Sequence, residues 1–97
     1  MDSEARLVAA LNETANLLRS HAVEQWPERL ESHADRVRLG HIDAASSLLA
    51  EFGGMGSFTD LWIDPRNGHH ITQDRVQPVN RRLEKLRSEI YRLTQSL

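Results

Sequence analysis

Residues 79–97 read VNRRLEKLRSEIYRLTQSL, and the spacing inside that stretch decides the fold class. Val79, Leu83, Leu86, Ile90, Leu93 and Leu97 are separated by 4, 3, 4, 3 and 4 residues, the a/d rhythm of a helix that buries one seam. This helix is expected to start between Gln77 and Asn80, with Pro78 tolerated in its first turn. Such a seam packs on helices of the same chain or pairs two subunits, so a homodimer through the last helix is one expectation. The stretch is too short for an autonomous coiled coil.

Moving outward towards the N-terminus, the pattern changes. Residues 58–63 contain Phe, Thr, Trp and Ile, types favoured in strands. Asp64-Pro65-Arg66-Asn67-Gly68 follows and reads as a reversal, after which residues 69–72 can return as a second strand. A β-hairpin at about 58–72 is therefore expected, packed on the helices because an isolated hairpin is marginal in water.

The first half is helical again. Leu7, Leu11, Ala15, Leu18 and Ala22 recur at spacings near four, with Ser3 as the expected N-cap and Glu4 in the first turn. Trp26-Pro27 punctuates the chain. A second helix is expected over 27–38, turning Leu30, Ala34 and Val37 inward and ending at Gly40. A third is expected over about 43–52, with Ala45, Leu48, Leu49 and Phe52 facing the core. The fold class is thus mainly α: a single three- to four-helix domain over residues 1–97, with one short β-hairpin inserted before the last helix.

Ninety-seven residues suit one domain. With 39% hydrophobic and 27% charged residues, the composition is that of an ordinary globular chain. No cysteine is present, which excludes disulfides, thiolate catalysis and Cys-based metal sites. An acidic start without an apolar run, and no stretch long enough to span a bilayer, make a cytoplasmic protein without membrane association the expectation. The net charge of −2 hides an asymmetry. Residues 1–64 carry five arginines against eleven acids, whereas residues 65–97 carry seven basic residues against three acids.

The most unusual segment is Phe52-Gly53-Gly54-Met55-Gly56-Ser57-Phe58. Its glycines permit positive φ and close backbone approach. It could present amides to a phosphate, but it lacks the Lys-Ser/Thr ending of a P-loop. The structural reading is a helix C-cap running into a tight joint. With Thr59, Asp60 and Leu61, the run FGGMGSFTDL resembles the FGGMGSFNDL signature of a family of small uncharacterised bacterial proteins, departing from it at Thr59. Residues 80–93 are similar to that family's closing helix, so the likeness covers about residues 26–95. It implies a shared fold and carries no activity or catalytic residues.

Five histidines raise the possibility of a metal, but no HExxH or HxxxH pair occurs, and adjacent His69 and His70 in a strand would point to opposite faces. Ser57, Asp60, Asp64, His69 and His70 cluster around the loop and hairpin, yet no GxSxG elbow is present. No catalytic, cofactor-binding or metal-ligating residue is assigned, and no cofactor is expected. Two charged stripes remain. Glu28, Glu31 and Asp35 share one face of the second helix, and Arg81, Lys85 and Arg92 line the last helix opposite its leucine seam. Each is a solvated face or a surface that steers a partner; three charges without interleaved aromatics make a poor nucleic-acid site. Trp26 and Trp62 are core anchors, or interface anchors if exposed.

The expected function is a small protein-binding module, of the immunity or antitoxin kind, that inhibits a bacterial toxin through Glu28, Glu31 and Asp35. The alternative is a small ligand-binding domain or enzyme using glycine loop 53–57 and the Asp and His residues of the hairpin.

Overall fold

A computed structural model describes residues 2–53 and 55–97. Four helices occupy Ser3–Ser20 (α1), Pro27–Arg38 (α2), Ala44–Leu49 (α3) and Val76–Gln95 (α4), with 3-10 turns at Phe58–Asp60, Pro65–Asn67 and Gln73–Arg75. α1 packs against α2 and α4, and α3 bridges α2 and α4. Leu7, Leu11, Leu18, Leu30, Leu83 and Ile90 meet in one core with Phe58 and Ile63 from the connecting segment.

The helical periodicities translate into burial. Leu83, Leu86, Ile90 and Leu93 are buried, as are Leu30, Ala34 and Val37, because residues three and four apart share a face. Each stripe ends where its helix ends. Leu97 lies beyond the last turn of α4 and is 45% exposed. Ala22 lies beyond α1, exposed, at φ 59°. There Val23 N–H donates to Leu18 C=O, 3.0 Å away, and Ala22 N–H to Arg19 C=O at 3.1 Å. That is a Schellman closure with alanine where glycine is usual.

Three boundaries are corrected. The N-cap of α1 is Asp2, not Ser3, because the Asp2 carboxylate accepts the Ala5 N–H at 2.8 Å. α3 is shorter than expected, and its core-facing residues are Ala44 and Leu48, with Ala45, Leu49 and Phe52 only half-buried. α4 begins at Val76, just before the expected start.

The larger correction concerns the hairpin. The described residues contain no strand, so the β-hairpin expected at 58–72 is not formed. Its backbone finds partners elsewhere. Asn80 on α4 takes the Ile63 N–H at its carboxamide oxygen and donates to Ile63 C=O, both at 2.8 Å. Arg87 donates to the carbonyls of Phe58 (3.1 Å) and Leu61 (2.8 Å). His70 N–H donates to His21 C=O at 2.8 Å, and His21 Nδ1 lies 2.9 Å from His70 C=O. A backbone satisfied by helix side chains and the α1–α2 joint needs no strand partner.

Candidate functional site

The FGGMGSFTDL run leaves the end of α3 and returns on itself. Phe58 N–H donates to Glu51 C=O at 3.0 Å, closing the excursion. Gly53 and Gly56 hold φ values of 114° and 78°, a region that costs an L-residue about 1–2 kcal/mol. Gly54 lies outside the described residues. Gly56 N–H donates to the Asp60 carboxylate at 2.6 Å, and the hydroxyls of Ser57 and Thr59 are 2.6 Å apart. Asp60 thus holds an amide that a bound phosphate would require. Met55 stands 99% exposed, whereas Phe58 is fully buried.

Phe58 is the middle of an aromatic row. Its ring centroid is 5.1 Å from Trp26 and 5.6 Å from Phe52, and Phe52 is in turn 5.3 Å from Tyr91. The row runs from buried Trp26 to Tyr91, which is 43% exposed. At its inner end the Arg29 guanidinium lies 4.7 Å over Trp26 and donates to both carboxylate oxygens of Glu51 at 2.6 and 2.5 Å. His33 Nε2 lies 2.8 Å from the same carboxylate. Burial raises the pKa of Glu51, but the hydrogen bonds from Arg29 and His33 outweigh it and hold the carboxyl below its ordinary value.

Two clefts flank the loop. One, of about 410 Å³, opens between Phe52 and Thr59 on one side and Glu84, Arg87, Ser88 and Tyr91 of α4 on the other. Burial lowers the pKa of Arg87, against the pull of Glu84 and Asp60. The second, of about 310 Å³, gathers Gln25, Trp26, Gly56, Ser57, Asp60, Trp62 and His69. Beside it, the buried Asp64 carboxylate accepts the Arg66 guanidinium and N–H and the Trp62 indole N–H. The Arg66 bonds are the main reason its pKa falls to about 2. Asp64 N–H donates to His69 Nδ1 at 3.2 Å, so that nitrogen is unprotonated and Nε2 carries the hydrogen; burial lowers the pKa of His69.

The candidate residues are therefore distributed unevenly. Gly56, Ser57 and Asp60 share a cleft with His69, but the Ser57 hydroxyl meets Thr59, and no hydrogen bond links it to a histidine among the described residues. No three His, Asp or Glu side chains converge on a metal position among the described residues. On α2, Glu28 and Asp35 are exposed, but Glu31 accepts a bidentate pair from Arg19 of α1 and Asp35 accepts from Arg38 at 2.8 Å. Sequence reasoning missed Asn80, Arg87 and the Arg29–Glu51–His33 trio. His33 carried a signal, since it sits between Leu30 and Val37 on the inward face; Glu51 carried none, because its burial depends on the chain turning back at Phe52.

A model of the family described as Domain of unknown function (DUF6966) matches residues 19–72. The chain belongs to this family. The matched stretch contains α2, α3, the whole glycine loop and the segment pinned by Asn80, while α4 and nearly all of α1 lie outside it. No curated protein and no solved structure matches the chain significantly. Among the described residues, no helix is long and apolar enough to cross a membrane.

Proposed function

We propose that this domain works in the bacterial cytoplasm by holding another protein, in the manner of an immunity protein or antitoxin, and not by catalysis. One observation carries the reading. The Gly56 amide and the Ser57 and Thr59 hydroxyls are occupied inside the loop, while Met55 projects from it into solvent and Trp62 and Tyr91 stand partly exposed at the two flanking clefts. Exposed aromatic and methionine side chains suit protein contact. With Glu31 and Asp35 each paired to an arginine, the α2 stripe offers less uncompensated charge than its composition implies, and its part is to speed encounter, mainly through Glu28. Self-association through α4 would have to use its outer face, because the leucine seam is occupied by the chain's own helices.

The alternative of a small ligand draws support from the cleft that brings Gly56, Ser57, Asp60 and His69 together. A photo-crosslinking amino acid at position 55 of the full chain, introduced in its native cell, separates the two. One recurrent protein partner is expected, whose affinity in purified form falls about tenfold with Met55→Asp. A metabolite that copurifies, with no protein crosslinked and with binding abolished by Asp60→Ala, overturns the reading in favour of the ligand.

A further inference from the structure

We propose that the cleft between the glycine loop and α4, with the basic row on the outer face of α4, docks an acidic segment of a partner protein through one aromatic or large aliphatic side chain. The proposal rests on the protein-binding reading above and adds the chemistry of the partner.

The two sides of α4 are charged differently. Towards α1, Arg82 pairs with Glu13 at 3.0 Å and Glu89 with Arg6 at 3.7 Å. On the outer face, Arg81, Lys85 and Arg92 are exposed and make no ion pair among the described residues. At 100° per residue these three lie within about 40° of one another, and the row is about 16 Å long. About five residues of extended chain span that length. Ser88 projects from the same face and also lines the cleft, so row and cleft form one surface.

The cleft supplies the anchor position. Its walls are the Phe52 and Tyr91 rings, in edge contact, and its about 410 Å³ accommodates one large side chain. Arg87 contributes a positive charge to it: one guanidinium nitrogen is held by the Phe58 and Leu61 carbonyls, and Glu84 and Asp60 act on that charge from nearby without an ion pair among the described residues. An aromatic-walled pocket beside the row of Arg81, Lys85 and Arg92 fits a peptide with one anchor among acids. The cleft offers one aromatic-walled position, with no ladder of aromatics along the basic row among the described residues, which suits a single peptide anchor and not a run of stacked bases.

The test uses the full chain and fluorescence anisotropy with defined probes: a short labelled peptide of glutamates around one phenylalanine, the same peptide with alanine for phenylalanine, its lysine counterpart, and oligodeoxythymidylate. The glutamate–phenylalanine peptide should bind tightest. Lys85→Glu with Arg92→Glu should weaken it at least about tenfold and flatten its salt dependence. Tyr91→Ala should weaken it about fivefold while leaving the alanine peptide unchanged. Circular dichroism confirms that the exposed-site variants fold. Equal or tighter binding of the lysine peptide or the oligonucleotide overturns the proposal, as does affinity indifferent to all three substitutions. A partner captured at position 55 whose binding ignores Lys85→Glu with Arg92→Glu removes this proposal and leaves the protein-binding reading standing. Peptide binding here without a partner captured at position 55 leaves this docking surface standing and removes Met55 from the interface.

Discussion

Along α4 the backbone hydrogen bonds run within the helix, and the apolar seam of Leu83, Ile90 and Leu93 is what it presents to α1 and α3. Across residues 50–72, by contrast, many backbone groups are met by side chains: Asn80, Arg87, Asp60, Asp64 and His69. The helical region is held by burial, which is non-directional and tolerates small shifts. The connecting segment is held by directional bonds, some from its own side chains and others from Asn80 and Arg87 on α4, and losing one leaves a polar group stranded. The difference teaches that the glycine loop is shaped by its neighbours, so its stability reports on the contacts of single polar atoms.

The strongest way to probe the helical side is Leu83→Ala. The side chain is fully buried, and its truncation should cost about 3 kcal/mol by transfer and cavity terms. Urea unfolding measures it, and a loss below about 1 kcal/mol would mean the seam is not the core. On the other side, Asn80→Ala should cost about 2 kcal/mol by leaving the Ile63 N–H and C=O buried without their partners. Hydrogen exchange should show residues 58–72 opening well before the helices; uniform loss of protection would erase the contrast between the regions.

Acid should attack the connecting segment in two steps. The folded-state pKa of His69 lies below its ordinary 6.5, so its contribution is complete above that value and is lost as pH falls through the folded pKa. The pKa of Asp64 falls from 3.8 to about 2, so its contribution is present above 3.8 and disappears as pH approaches about 2. The Trp62 indole N–H, bonded to Asp64, should shift in NMR spectra over the second window while that of buried Trp26 stays constant until unfolding.

Gly56→Ala should destabilise by about 1 kcal/mol. An added Cβ there meets no atom within 4 Å, so the whole cost comes from φ, and an unchanged melting temperature would show that the loop is not held at that angle. The smallest effect expected is a gain. Ala22→Gly relieves an alanine at φ 59° and should stabilise by about 0.5 kcal/mol after the extra freedom of the unfolded chain is subtracted.

The sequence by itself determined the inward faces of α1, α2 and α4, because helical periodicity is a local property of residue spacing. It also marked Gly53 and Gly56 as a turn. Only the tertiary structure decided what 58–72 becomes. Phe, Thr, Trp and Ile favour extended backbone, but whether such a segment pairs with itself depends on which partners reach its N–H and C=O groups, and Asn80 and Arg87 come from a helix later in the chain. The same holds for charge. Glu31 lies on an acidic face in the sequence and is neutralised by Arg19 only because α1 packs beside α2. Spacing fixes direction along one element, whereas hydrogen bonds and ion pairs are settled by what packing brings within about 3 Å.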